Sequence, residues 1–200
     1  MGLELDYFNG QTPLDEDEKE GLLISTISTR GELDEFEQQN IENAMTFYWS
    51  RRIKIEKFFT EEFIREVHRK MFGDVWKWAG QFRKTDKNIG VDKWQIAIEL
   101  KRLLDDTHYW LNKNVYEPEE IAIRFKHCLV SIHCFPNGNG RHSRLMADLL
   151  INRVYNNQSP FSWGASLLEK NQAREAYLKA LRTADTGDIQ PLLELSLIHI

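Results

Sequence analysis

Apolar residues recur along most of the chain at the three- and four-residue spacing of amphipathic helices. A capping box of Thr29 and Glu32 predicts the start of a first long helix, and Thr60 can cap a second. Cap residues and apolar spacing predict the remaining helices in the same way: about Ile98 to Leu111, from near Pro118, from near Gly140, and from the capping box Ser166/Glu169 to Gly187. The pattern therefore predicts a mainly helical chain.

One segment between the second and third predicted helices breaks this pattern. Residues 78–96, WAGQFRKTDKNIGVDKWQI, place turn formers between short pieces with β propensity, which predicts a small β-hairpin. We expect an all-α fold with one hairpin, organised as a lead-in over residues 1–28, a helical domain over 29–190 and a tail over 191–200.

Composition and charge narrow the class of protein. The chain has 200 residues, 42% of them hydrophobic, and a net charge of -5, which argues against a dedicated nucleic-acid binder. Cys128 and Cys134 are the two cysteines, too few for a disulfide framework and without zinc-site spacing. We find neither a signal peptide nor an apolar run of membrane-spanning length, and so expect a cytoplasmic protein without a membrane partner.

Candidate chemistry is concentrated in residues 132–145, IHCFPNGNGRHSRL. The preceding helix must end near Phe135–Pro136, because proline disfavours helical backbone in the residue before it. Residues 137–140, NGNG, then allow successive backbone N–H groups to form a concave nest at the start of the next helix. A nest at the positive end of a helix dipole predicts an anion site.

Three side chains at this anion site suit phosphate chemistry. Arg141 and Arg144 are three residues apart on the new helix, share a face and can each grip phosphate oxygens. His133 precedes the nest and has an ordinary pKa suited to accepting a proton near neutrality. His142, in contrast, is expected on the solvent face of the helix. The sequence predicts a polyphosphate-transfer site.

The stretch from His133 to Arg144 resembles the Fic signature HPFx(D/E)GNGRxxR, with histidine, phenylalanine, Gly-Asn-Gly and both arginines in register. Within that family the chain is most similar to the bacterial mobile mystery protein B group, through its KNIGVD and NGNGRH stretches. The resemblance covers roughly residues 30–185. It implies a Fic-type helical bundle in which a small hairpin forms a flap.

The resemblance also implies an activity, protein adenylyltransfer (AMPylation). His133 would deprotonate a Ser, Thr or Tyr hydroxyl of a target protein, which attacks the α-phosphate of ATP. Phe135 would anchor the loop, while Arg141 and Arg144 would hold the β- and γ-phosphates. The loop residues that would bind the α- and β-phosphates are Gly138, Asn139 and Gly140.

Two further elements of the site follow from the resemblance. The flap would align the target segment by backbone strand pairing; its residues are Lys84, Thr85, Asp86, Ile89 and Gly90. Asn137 stands where an acidic residue ordinarily holds Mg²⁺, so it would ligate the ion without charge and weakly. Cys134 replaces the usual proline, which we interpret as a packing variation.

Regulation and two alternative functions stay open at this level. Glu20–Gly21 partly matches the family's inhibitory motif [S/T]xxxE[G/N], with Glu16 in place of Ser or Thr, so Glu20 could pair with Arg144 or could be a plain acidic loop residue. The chain could also be a Fic relative that transfers a phosphoryl group. Because of Asn137, a third possibility is a nucleotide- or partner-binding module without catalysis. A toxin role suppressed by a small antitoxin partner is a further expectation from the resemblance.

Overall fold

Local capping starts the two helices for which the sequence predicted it. The structure, a computed structural model, describes residues 12–154, 161–163 and 170–197. Helix α2 begins after Thr29, whose hydroxyl accepts from the Glu32 N–H at 3.2 Å while the Glu32 carboxylate accepts from the Thr29 N–H at 3.0 Å. Helix α4 begins after Thr60, whose hydroxyl accepts from the Phe63 N–H at 3.1 Å. Both predicted caps are confirmed.

The other helices follow the predicted order. The described helices are α1 (Glu16–Lys19), α2 (Arg30–Trp49), α3 (Ile55–Phe58), α4 (Glu61–Phe72), α5 (Ile96–Lys113), α6 (Pro118–Ile132), α7 (Asn139–Leu149), α8 (Lys170–Asp185) and α9 (Gln190–Leu197). A π-helical turn, Leu150–Val154, continues α7. The predicted capping box Ser166/Glu169 lies outside the described residues.

Helices α6 and α7 form the centre of the fold. Helix α6 packs against α5, α7 and α9, and α7 packs against α4, which in turn contacts α2. The apolar side chains of α6 are buried on more than one side: Ile121, Ala122, Ile123, Phe125, Leu129 and Ile132. Because α6 and α7 pack on each other and are joined by a short turn, the predicted chemical segment is held by packing on both of its sides.

The predicted β-hairpin flap is wrong. Residues 81–94 contain bends and turns but no strand. Two of their backbone N–H groups instead bond to the end of α6 and the residues after it, Arg83 N–H to the Cys134 carbonyl at 2.9 Å and Val91 N–H to the Ile132 carbonyl at 3.4 Å. The segment is therefore a loop docked on the α6–α7 turn, since the backbone N–H groups of both limbs bond to carbonyls there.

The described part of the lead-in packs onto the helical domain. An isolated antiparallel bridge joins Leu22 to Trp76, and the Leu23 N–H donates to the Val75 carbonyl at 2.9 Å. Leu14 and Ile27 are buried in the core. At the other end, α9 buries Leu192 and packs on α6 and α8. The domain boundaries at residues 28 and 190 stay predictions.

Within the described ranges, none of the helices combines the length and apolar character that crossing a bilayer requires.

Candidate active site

His133 caps α6 in a left-handed conformation. Its φ is 57° and its ψ is 58°, a region that costs about 1–2 kcal/mol for a residue with a β-carbon. This backbone conformation ends α6 and turns the chain toward Phe135 and Pro136. Such conformations cluster at functional sites, where surrounding contacts hold them in place.

The turn between α6 and α7 is closed by the side chain of Asn139. Its Oδ1 accepts from the Phe135 N–H at 2.9 Å and its Nδ2 donates to the Phe135 carbonyl at 2.8 Å. Asn139 is buried, so its amide has a structural task and only its backbone N–H can serve an anion. Phe135 is fully buried, in agreement with its expected anchoring role.

The two glycines of the turn differ in what surrounds them. Gly138 has φ 78°, and a β-carbon there would lie 2.6 Å from the Phe72 ring. Gly140, on the first turn of α7, meets no described atom within 4 Å of an added β-carbon. Space is therefore open beside the first N–H groups of α7, which have no acceptor within the helix.

A buried histidine supports the turn from α4. The His68 ring stacks on Phe135 with 3.7 Å between centroids, and its Nδ1 accepts from the Gly80 N–H at 3.0 Å. Its Nε2 therefore carries the proton and donates to the Asn137 carbonyl at 3.0 Å. His68 thereby fixes the nest relative to the start of the docked loop.

The expectation that His142 faces solvent is wrong. Its side chain is buried, and its Nε2 donates to the Ile64 carbonyl of α4 at 3.0 Å. The reason is the packing of α4 on α7, which brings a backbone carbonyl of α4 within reach of the imidazole.

The imidazole of His133 lies next to a hydroxyl. Its Nε2 is 3.0 Å from Oγ1 of Thr12, and the side chain is 4% exposed. Burial, assisted by the positive charge of the Arg83 guanidinium, lowers the pKa of His133 to about 4. The Val130 carbonyl acts in the opposite direction, although Nδ1 has no hydrogen-bond partner among the described residues. The Nε2–Oγ1 contact fits either tautomer of the ring, and the tautomer with its proton on Nδ1 lets Nε2 accept from Thr12.

Arg83 connects the docked loop to His133. Its Nε donates to the His133 carbonyl at 2.7 Å, and its Nη1 donates to the Thr85 carbonyl at 3.0 Å. The guanidinium also bonds the Val91 carbonyl and reaches Asp86 at 3.3 Å. One buried side chain thus holds both limbs of the loop against the histidine.

Arg141 is held by a carboxylate on α2. Its Nη1 donates to Glu37 Oε2 at 2.6 Å, and Glu37 Oε1 accepts from Trp76 Nε1 at 2.6 Å. The Arg141 guanidinium also lies 4.9 Å from the Phe72 ring centroid. Glu37 is buried, whereas Arg141 is partly exposed. Glu37 therefore orientates the arginine from the protein interior, and part of the arginine side chain stays open to solvent.

Arg144 shares the face of α7 that Arg141 occupies. Its Nε donates to the Gly140 carbonyl at 3.3 Å, and its guanidinium lies 5.6 Å from the Tyr177 ring centroid. Glu20 is exposed after α1, and within the described ranges no ion pair or hydrogen bond joins it to Arg144. The inhibitory role of Glu20 stays a prediction without a supporting contact.

Asn137 is a poor fit to a protein-held Mg²⁺. Its Oδ1 accepts from the Gly138 N–H at 2.6 Å, and its Nδ2 donates to the Thr12 carbonyl at 3.0 Å. Mg²⁺ in nucleotide sites is usually bound by one or two carboxylates together with phosphates, and Asn137 supplies no charge. No group of three or more potential metal ligands occurs among the residues that the structure describes.

Sequence reasoning missed four residues of this site: Glu37, Arg83, His68 and Thr12. Glu37 lies 104 positions before Arg141, and Arg83 lies 50 before His133, so spacing could not relate them. The one usable signal was Glu37 itself, an acidic residue on the helix face that also carries Leu33 and Ile41.

Comparison with known proteins agrees with this arrangement. Residues 58–151 match the Fic/DOC family. "Protein adenylyltransferase Fic" of Aedes aegypti is 29% identical over 157 residues, or 76% of this chain and 30% of the relative. The relative of the same name from Drosophila grimshawi is 32% identical over 134 residues, or 65% of this chain and 26% of the relative. The chain thus spans less than a third of the length of these two curated relatives.

Solved structures share the fold. Fic-1 (residues 134–508) of C. elegans superposes with a TM-score of 0.65 at 25% identity, over 88% of this chain and 51% of the other. The BepC protein of Bartonella tribocorum, solved with bound AMPPNP, gives a TM-score of 0.66 at 20% identity over 89% and 94%. These likenesses show a Fic-type helical fold.

The two turn glycines should respond differently to alanine. Gly138→Ala should lower the free energy of unfolding by about 2 kcal/mol or more, because it adds a left-handed alanine and a clash with Phe72. Gly140→Ala should leave the free energy of unfolding unchanged or raise it by up to about 1 kcal/mol, since alanine favours helix. Urea denaturation of both variants tests this, and equal losses would contradict it.

The fold should weaken in acid. Burial lowers the pKa of His68 well below 6.5, that of His133 to about 4 and that of His142 to about 3. Since the unfolded chain binds these protons first, the free energy of unfolding should fall as pH drops below about 6.5, by up to about 1.4 kcal/mol per pH unit for each histidine. Burial raises the pKa of Asp148 to about 7. This one group therefore acts in the opposite direction and raises the free energy of unfolding as pH falls below about 7.

The matched control for this pH dependence is His142→Gln, which can keep a donor toward Ile64 but does not titrate. Urea denaturation at about pH 7 and about pH 5 should show a smaller loss of stability in the variant than in the wild type. A wild type equally stable at both pH values would contradict the prediction.

Proposed function

We propose that this chain, whose residues 58–151 match the Fic/DOC family, is a protein adenylyltransferase that transfers AMP from ATP to a hydroxyl of a protein. The observation that carries the proposal is the contact between His133 Nε2 and a threonine hydroxyl, beside the open N-terminus of α7. A base, an acceptor hydroxyl and an anion site then share one turn.

His133 acts as the general base. Its low pKa keeps the imidazole neutral near pH 7, so Nε2 can accept the hydroxyl proton. The freed oxygen attacks the α-phosphorus of ATP and forms the new P–O bond. The bond from that phosphorus to the bridging oxygen breaks, and pyrophosphate leaves.

The phosphates of ATP bind to the first turn of α7. The N–H groups that start this helix face an anion at the positive end of its dipole, in the open space beside Gly140. Arg141, which Glu37 orientates, holds the β-phosphate with its exposed nitrogens. Arg144, supported by the Tyr177 ring, holds the γ-phosphate.

The docked loop holds the acceptor segment through side chains. Thr85 and Lys87 already bond a stretch of this chain that crosses the site, and Ile89 is about half exposed beside them. Gly90 brings the loop backbone against His133, since a β-carbon there would lie 2.7 Å from that of His133. Lys84 and Asp86 complete the loop that the sequence assigned to acceptor alignment.

Magnesium enters this proposal only as the counter-ion that ATP carries. Asn137 is the nearest equivalent of the family's acidic ligand, and its donor set does not fit a protein-held ion. We therefore derive no step from the metal.

The finer assignments belong to the same proposal. Similarity to the mobile mystery protein B group, through KNIGVD and NGNGRH, supports a bacterial, cytoplasmic setting in which a small antitoxin restrains the enzyme. The target is a protein that presents a Ser, Thr or Tyr hydroxyl.

Labelled ATP tests the activity. Incubation with α-labelled ATP and cell lysate should label protein, and His133→Ala should reduce the rate by about 10²–10⁴-fold because the base is lost. The matched control is His127→Ala, on the same helix but paired with Asp185, which should leave the rate unchanged. Label from the γ position instead would indicate phosphoryl transfer. Binding of ATP without any labelling would indicate a binding module.

Asn137→Asp tests the weak metal ligand. The added charge should lower the Mg²⁺ concentration that gives half-maximal rate, on the order of tenfold. Because this change also removes the hydrogen bond to Thr12, Asn137→Ala is the control, losing that bond without adding a ligand. The same Mg²⁺ dependence in both variants would show that residue 137 does not bind the ion.

A further inference from the structure

The first described residues of the chain cross the candidate active site. Oγ1 of Thr12 lies 3.0 Å from Nε2 of His133, and Thr12 is 6% exposed. The carbonyl of Thr12 accepts from Asn137 Nδ2 at 3.0 Å. One residue thus contacts both the base and the nest, at the place where the proposed reaction needs an acceptor hydroxyl.

The residues after Thr12 are fixed to the docked loop by charged contacts. Asp15 accepts from the Thr85 hydroxyl at 2.6 Å and from Lys87 Nζ at 2.9 Å. These two hydrogen bonds lower the pKa of Asp15 below its ordinary value. Glu18 accepts from the same Lys87 at 2.6 Å, and the Lys87 side chain is 4% exposed. A buried lysine with two carboxylate partners fixes the register of the segment.

A second anchor follows the charged contacts. The Glu18 carbonyl accepts from Trp78 Nε1 at 2.9 Å, and Gly21 lies so close that a β-carbon would be 2.6 Å from the Trp78 ring. The bridge from Leu22 to Trp76 comes next. From residue 12 to residue 22 the chain is therefore held at several points, and Thr12 is delivered to His133 in one register.

From this geometry we propose that Thr12 is an intramolecular acceptor, so that the enzyme adenylylates its own Thr12. The inference rests on the proposed adenylyltransferase function. His133 Nε2 takes the proton of the Thr12 hydroxyl, and Oγ1 forms a bond to the α-phosphorus of ATP. The bond from that phosphorus to pyrophosphate breaks, pyrophosphate departs, and the proton on His133 passes to solvent.

The position of Thr12 fits an acceptor better than a plug, that is, a segment that only blocks the site. A plug would need only to exclude other chains, whereas here a hydroxyl oxygen lies within hydrogen-bond distance of the base. None of the described atoms fills the space beside Gly140, where the phosphates would bind, although Thr12 is in place. Thr85, another hydroxyl of the site, is already committed to Asp15.

The test uses the full chain, purified and incubated with α-labelled ATP and a divalent cation. Peptide mapping by mass spectrometry should place a single AMP on Thr12. Thr12→Ser should keep this self-labelling because it keeps the hydroxyl, and Thr12→Val should abolish it at nearly the same side-chain volume. The matched control is Thr26→Val, an exposed threonine of the same segment, which should label as the wild type does.

A mixing experiment tests the intramolecular route. An inactive His133→Ala chain mixed with an active Thr12→Val chain should acquire no AMP on its Thr12, and the rate in wild type should not depend on protein concentration. AMP on the Thr12 of the inactive chain would overturn the intramolecular claim.

The remaining outcomes separate this inference from the proposed function. Labelling of lysate proteins by a wild type whose Thr12 stays unmodified would overturn the inference and leave the adenylyltransferase standing. Faster labelling of lysate by Thr12→Val, with Thr12 of the wild type unmodified, would identify a plug and also overturn it. Absence of label on any protein would overturn both.

Discussion

The amide of Asn139 closes the turn between α6 and α7, and every part of the candidate site is placed relative to that turn. Its two hydrogen bonds to the Phe135 backbone fix the direction in which α7 leaves. His133 then lies on one side of the turn and the first N–H groups of α7 on the other. The imidazole of His133 and the N-terminus of α7 derive from different helices, and their separation is fixed because a single side chain joins the two helix ends.

Side chains from more distant elements hold the turn and its neighbouring groups in position. His68 braces it from α4, Arg83 brings the docked loop to the His133 carbonyl, and Glu37 turns Arg141 toward the open side of α7. Each support is buried and uses a charged or polar group with named partners. Arrangements of this kind hold functional groups within narrow limits, since few alternative rotamers keep all the hydrogen bonds.

Most of the helical layout and the turn between α6 and α7 could be predicted from the sequence because their causes are local. Thr29 with Glu32, Thr60 and Pro118 mark helix starts through bonds or φ values within one turn of chain. The hairpin could not be excluded locally, because its turn formers are compatible with strands until Arg83 and Val91 find carbonyls of the α6–α7 turn. The prediction that His142 faces solvent was wrong for the same reason, since the acceptor of its hydrogen bond belongs to another helix.

Residues 12–18 are a tethered competitor of any outside protein for the candidate site. A segment joined to its own binding site competes at an effective concentration in the millimolar range, without diffusion or orientation to be overcome. An outside protein must therefore either bind strongly enough to displace it or wait for its release. Under the proposed function, weakly binding partners would not displace the segment, and selectivity would follow from affinity instead of from recognition of a particular sequence.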